Sequence, residues 1–181
     1  GADDFHAVSN SVHTVVTFGS RSGDFATRTQ DPAGGHRFVF STDADSVDLL
    51  TQLFIENTSD EIDAVPGDGI ARAASGVSSL RSAIIEANAF AGHDTIVLAA
   101  GTYTLTIAGA NEDAAATGDL DITDDLTIIG AGAGTTFIDA ADLDRIFDVK
   151  SGKKLRLEGV TIRNGHLAGG ADGGGILNAG T

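Results

Sequence analysis

The run Leu126-Thr127-Ile128-Ile129-Gly130 returns 29 residues later as Leu155-Arg156-Leu157-Glu158-Gly159, apolar at alternate positions and closed each time by a turn glycine. Between the two lie Phe137-Ile138-Asp139 and Ile146-Phe147-Asp148-Val149, so about three short strands fill one repeat. A unit of that size cannot bury its own apolar side. It must stack on its neighbour, as a coil that turns three times before lying on itself. Alternate apolar residues then form shared aliphatic columns. The competing arrangement is an antiparallel sandwich, which shows short strands at similar spacing.

Composition favours the stack. The chain is 41 % hydrophobic, with Ala, Val, Ile and Leu outweighing aromatics, and it has 24 Gly and 2 Pro but no Cys, Met or Trp. Aliphatic side chains in repeated layers suit a solenoid better than a globule. With 11 basic against 26 acidic residues and a net charge of -15, the chain repels phosphate backbones and anionic membranes. Nucleic-acid partners are therefore not expected, and cations are the natural small ones. No apolar run approaches the ~20 residues of a membrane span, and residues 1–20 lack the basic start and apolar core of a secretion signal. The ends, Gly1-Ala2-Asp3 and Ala179-Gly180-Thr181, are read as those of a fragment of a longer protein.

Along the chain, β-like runs are expected at Val12 to Phe18, Asp24 to Thr29, Arg37 to Phe40 and Asp48 to Glu56. Residues 57–76, crowded with Asp, Gly and small residues, read as a long loop. Ser79 to Ala91 is the one clear helix: Leu80, Ala83, Ile84 and Ala87 recur at helical spacing, with Ser at the N-cap position and Gly92 where a C-cap belongs. Its apolar face, Leu80, Ile84 and Ala87, needs a cover. Residues 1–52 read as a β-rich segment, the end of a preceding module, and 53–181 as a capped stack of coils.

The order of segments from Phe54 to Thr181 resembles one family. Ser79-Leu80-Arg81-Ser82-Ala83-Ile84, then Glu86-Ala87-Asn88-Ala89, HDTIVLAAGTYTLT, GDLDITDDLTIIGAGAGTTFIDA, DRIFDV, LEGVTIRNG and GGGILNAGT are similar to the domain named after the motif Cys-Ser-Leu-Arg-Glu-Ala, which opens exported bacterial β-helix proteins. The chain departs from it at Ser78, where the motif has Cys, and at Ser82, where it has Glu. The resemblance implies an all-β fold, a right-handed parallel β-helix with one short N-terminal capping α-helix. It also implies a secreted or surface-displayed bacterial protein with no established enzymatic activity.

Two acidic clusters are the candidates for metal chemistry: Asp60, Glu61, Asp63 and Asp68 in the loop, and Asp119, Asp121, Asp124 and Asp125 around a strand. Calcium takes six to eight oxygens, and alternate positions put Asp119 and Asp121 on one strand face. Neither cluster has the spacing of a known calcium loop, GGADGGG at 169–175 matches only superficially, and solvated turn acids are the simpler reading. A glycan-cleaving enzyme would need convergent carboxylates, or an Arg with a metal, and would draw on Asp139, Asp142, Asp144, Arg145, Asp148, Arg163 and His166. No spacing singles out a pair among them, and no Tyr or Trp platform accompanies them. Arg81 is expected to tie the helix to carbonyls of the first coil, and Asn164 and Asn178 to satisfy turn backbone. His6, His13, His36, His93 and His166 are scattered, without the spacing of a helical metal site.

The sequence thus points to a noncatalytic stalk or adhesion surface, secreted or on the cell surface, with an extracellular glycan or a cell-surface protein as partner. No cofactor is expected, calcium being the one cation the coils would take. The alternative is an extracellular polysaccharide lyase or glycoside hydrolase. Oligomeric state is left open.

Overall fold

The computed structural model describes residues 14–17, 36–42, 46–110, 112–167 and 174–181. These build three sheets and one helix. The first sheet holds β1 (Thr14–Thr17), β2 (His36–Thr42), β3 (Ser46–Ile55), β4 (Asp94–Leu98), β7 (Leu126–Gly130) and β10 (Leu155–Glu158). The second holds β5 (Gly101–Thr104), β8 (Thr136–Asp139) and β11 (Thr161–Arg163), and the third β6 (Leu120–Ile122), β9 (Phe147–Val149) and β12 (Ile176–Asn178). From β4 onward every strand pairs in parallel with the strand three places further along. The described residues are therefore mostly β-strands with one short helix, stacked in parallel from β3 onward, and the parallel ladders dispose of the antiparallel sandwich for this part. One strand from each sheet makes a rung.

The repeat seen in the sequence is a real neighbour relation, since Leu126 lies beside Leu155 and Ile128 beside Leu157. Register carries the aliphatic columns: Leu53, Ile96, Ile128 and Leu157 in the first sheet, Tyr103, Ile138 and Ile162 in the second, Leu120, Phe147 and Ile176 in the third. Ile96, Ile128, Ile138 and Phe147 are wholly buried, and each such side chain contributes roughly 1.5–3 kcal/mol. The Tyr103 hydroxyl sits 2.9 Å from the Ile55 carbonyl oxygen and 3.1 Å from that of Ala99, and burial pushes its ionisation up to about 12. The turn glycines stack as well. Gly159 has φ +60, and a Cβ there would lie 2.6 Å from the Gly130 carbonyl oxygen, so only hydrogen fits where these two turns meet.

The N-terminal strands join the same sheet. β2 runs antiparallel along β3, β1 pairs antiparallel with its start, and β4 takes Gln52 to Ile55 in parallel. Residue 52, the expected limit of the N-terminal segment, thus lies inside β3. The expected runs around Val12, Arg37 and Asp48 correspond to β1, β2 and β3, whereas Asp24 to Thr29 lies outside the described residues.

Helix α1 (Leu80–Ala89) starts at the N-cap Ser79, as its spacing predicts. It ends differently: the C-cap is the extended Phe90 rather than Gly92, because the chain leaves α1 directly towards β4. The helix packs on β3, β4 and β6. Leu80, Ile84 and Ala87 are buried as expected, but so are Arg81, Ser82 and Glu86, because the loop 57–76 covers the polar side.

Candidate functional site

The polar groups that the sequence offers as chemistry fall into two sets, one in the cap and one on the outer faces of the strands. In the cap, Arg81 is fully buried and all five of its N–H donors are engaged. Nε donates to Asp60 Oδ1 at 2.6 Å and Nη2 to Asp60 Oδ2 at 3.3 Å. The other donors reach the carbonyls of Ala115 at 2.8 Å, Gly118 at 2.9 Å and Asp119 at 3.3 Å. Asp60 also accepts from the backbone N–H of Thr106 at 2.6 Å and Ile107 at 3.0 Å. The expected carbonyl clamp is therefore present, joined by an ion pair to the loop.

Other cap residues work the same way. The Ser82 side chain, where the resembling motif has Glu, accepts from the Ser79 N–H at 2.8 Å while Ser79 Oγ accepts from the Ser82 N–H at 3.1 Å. That reciprocal pair closes a capping box without a carboxylate. Glu86 takes the N–H groups of Gly67, at 2.7 Å, and Gly69. Asn88 donates to the Asp121 carbonyl at 2.8 Å and accepts from the Thr123 N–H at 2.9 Å, standing in for a strand along the edge of β6. None of these roles for Ser82, Glu86 or Asn88 is legible without the tertiary partner. In the loop, Asp63 accepts from the Val65 N–H at 2.9 Å, and burial holds its carboxyl above the ordinary range. Glu61 bonds Ser59 and Ser75, and Asp68 caps the Ile70 N–H at 2.8 Å.

On the strand faces, acids of one rung meet bases of the next. Register puts Asp121 beside Asp148, a like-charge pair that would repel. Lys150 Nζ resolves it, 2.7 Å from Asp121, 3.0 Å from Asp148 and 2.6 Å from Asp113. Partial burial alone would lower the Lys150 ammonium, but the three carboxylates outweigh it and raise it above its ordinary value. Asp119 lies 3.0 Å from Arg145 Nε. Burial, then the charges of Asp121 and Asp144, push its carboxyl up to about 7 against the pull of Arg145. Lys153 pairs with Asp124 at 2.9 Å, and Asp125 accepts from the Lys154 N–H at 3.0 Å. Arg163 pairs with Asp139 at 2.8 Å while stacking 4.6 Å over the Phe137 ring. Burial works to raise Asp139, yet the Ala141 N–H, the Asn164 amide and Arg163 together hold it below the usual carboxylate range.

The expected lists thus separate. Asp119 and Asp121 are brought together with Asp144, Arg145, Asp148 and Lys150, while Asp139 and Arg163 form another corner. Asp142 is exposed in a turn with φ 59, and His166 contributes its backbone N–H to the Asp144 carbonyl at 3.0 Å. Among the described residues no group of three or more His, Asp or Glu side chains is arranged to hold a metal. Asn178 accepts from the Gly180 N–H at 2.9 Å, as turn Asn residues do, whereas Asn164 serves the Asp139 carboxylate instead. His93 meets the Thr127 hydroxyl at 2.9 Å, and His6 and His13 lie outside the described residues. No helix among the described residues is long and apolar enough to cross a membrane. No family model, no curated protein and no solved structure matches the chain.

Proposed function

We propose that this chain is a noncatalytic segment of a bacterial secreted or cell-surface protein, a right-handed parallel β-helix headed by a cap of the Cys-Ser-Leu-Arg-Glu-Ala kind, which acts as a stalk or adhesion surface. The observation that carries this reading is the use to which the acids are put. Asp60, Asp119, Asp121, Asp124, Asp139 and Asp148 each pair with a basic side chain of the fold itself. The pairs of Asp119, Asp121, Asp124 and Asp139 join one turn of the stack to the next, and each engages a carboxylate that a substrate would otherwise meet. The right-handed sense rests on the strong preference of parallel crossover connections for that hand. Residues 1–52 belong, in this reading, to the end of a preceding module that meets the stack through β3.

A second reading, an extracellular polysaccharide lyase or hydrolase, draws on the third sheet alone. There Asp119 titrates near neutrality beside Arg145, whose Nη1 is buried without a hydrogen-bond partner. One experiment separates the two: binding of the purified chain to a glycan array with and without calcium, beside an ultraviolet assay for unsaturated uronate products and a reducing-sugar assay. Selective glycan binding without turnover supports the adhesion surface. Product formation that disappears in Asp119→Asn overturns it in favour of the enzyme, and silence in every arm leaves the stalk.

A further inference from the structure

Asn164-Gly165 is the only Asn-Gly pair in the chain. Glycine has no side chain to shield its backbone nitrogen, so in an open chain this nitrogen is the one best placed to attack the carboxamide before it. The fold uses both residues. Asn164 turns the chain at φ 55, a left-handed conformation that Asn tolerates better than most side chains. At Gly165 a Cβ would run into the Gly174 carbonyl oxygen. The carboxamide is tied down in the folded chain: Asn164 Nδ2 donates to Asp139 Oδ1 at 2.9 Å and to Oδ2 at 3.1 Å. Asp139 is buried and is itself fixed, accepting from the Ala141 N–H at 2.9 Å and from Arg163 Nε at 2.8 Å.

We propose that Asn164 is a spontaneous deamidation site whose reaction the Asp139 carboxylate holds back in the folded chain. In that reaction the Gly165 nitrogen gives up its proton and bonds to Cγ of Asn164, and Nδ2 leaves with the proton as ammonia. Water then opens the cyclic imide, at Cγ to give aspartate or at the backbone carbonyl carbon to give isoaspartate. Ring closure needs the carboxamide free to swing towards the Gly165 nitrogen, and two hydrogen bonds to an ionised partner oppose that swing. Either product is unlike its precursor. A carboxylate at position 164 meets Asp139 with the same charge and no hydrogen to donate, and isoaspartate also lengthens the main chain. Backbone bonds from the Asp142 N–H to the Asn164 carbonyl, 2.9 Å, and from the Ala140 N–H to the Arg163 carbonyl, 3.1 Å, join this turn to the one beside it. Modification therefore unfastens two turns of the second sheet, and does so in one direction only.

The test is peptide mass spectrometry of the whole chain aged in mildly alkaline buffer, with and without urea, for the wild type, Asp139→Ala, Asp139→Asn and Arg163→Ala. In urea all four are expected to deamidate at Asn164 at one rate, ahead of the other asparagines. Folded, the wild type should lag its own urea sample. Folded Asp139→Ala should react at least about tenfold faster than the folded wild type, the least effect expected from losing hydrogen bonds to a charged group. Asp139→Asn keeps an acceptor but no charge, so it should fall between them, and it carries the comparison if circular dichroism shows Asp139→Ala unfolded. Arg163→Ala removes a partner of Asp139 but spares the Asn164 contact, and should stay near the wild-type rate even where its urea midpoint falls. Asn164→Asp, the product itself, should melt below the wild type. Asn164 reacting no faster in urea than the other asparagines overturns the site. A folded wild type as fast as its urea sample, Asp139 variants no faster than the wild type, or Arg163→Ala as fast as Asp139→Ala, overturns the guarding role of Asp139, and an Asn164→Asp chain as stable as the wild type overturns the unfastening.

Discussion

At the β4 end of the stack, α1 and the loop 57–76 cover the first rung with buried polar groups, whereas the buried side chains of the next rung are mostly apolar, with Thr127, Thr136, Asp139 and Asp144 the polar ones. Arg81, Ser82 and Glu86 are as deeply buried as Ile96 or Ile128. A rung in mid-stack meets a copy of its own pattern, so leucine over isoleucine suffices, and backbone groups are matched by parallel ladders. The first rung meets something unlike itself. Its carbonyls at Ala115, Gly118 and Asp119 and its edge along β6 need donors and acceptors from side chains, and Arg81 and Asn88 supply them. Aliphatic burial gives stability wherever neighbours repeat, and polar contacts fix position where they do not.

The contrast is most sharply broken at Arg81. Replacing it by Met leaves Asp60 buried without its cation and should cost about 3–5 kcal/mol in urea unfolding, whereas a cost under about 1 kcal/mol would mean that the clamp is replaceable by apolar packing. Within the stack, Ile128→Ala should cost about 2–5 kcal/mol, and Leu157→Ala in the same column about half as much, because Leu157 is only partly buried. Equal costs would show that Leu157 is as well covered as Ile128.

Acidity tests the outer face. Asp119 keeps its proton in the folded chain up to about 7, against an ordinary value of 3.8. Between those values the folded state holds a proton that the unfolded chain has released. This group's stabilisation is therefore present in full below 3.8 and is lost as pH rises through about 7. The urea midpoint should be higher at about pH 5 than at about pH 8, and Asp119→Asn should shrink the difference. A midpoint that rises with pH in the wild type would contradict the raised carboxyl. The smallest effect is expected at Lys153→Ala, where the partly exposed pair with Asp124 is worth at most about 1 kcal/mol in thermal unfolding and less in high salt. A larger loss would mean that the strand-face ion pairs, and not only the columns, hold the rungs together.

Much of the stack could be read before any coordinates. The apolar alternation in Leu126 to Gly130 and Leu155 to Gly159 depends on the two-residue period of a strand, a local property, and the 29-residue return announces the neighbour. The helix was legible for the same reason, from Leu80, Ala83, Ile84 and Ala87 and the Ser79 cap. The end of α1 was not, because Gly92 satisfies the local rule while the path to β4 requires an extended Phe90.

The acids mark the boundary most clearly. Residue type and spacing identified Asp60, Asp119, Asp121 and Asp139 as candidates, and that much is intrinsic to the chain. Which cation each would meet depends on residues far along the chain: Arg81 for Asp60, Arg145 for Asp119, Lys150 for Asp121, Arg163 for Asp139. Periodicity determined the strands, the stacking and the aliphatic columns because these repeat at fixed intervals. Charge pairing was decided by register between rungs, since loops of unequal length between the strands shift every partner in sequence while leaving it adjacent in space.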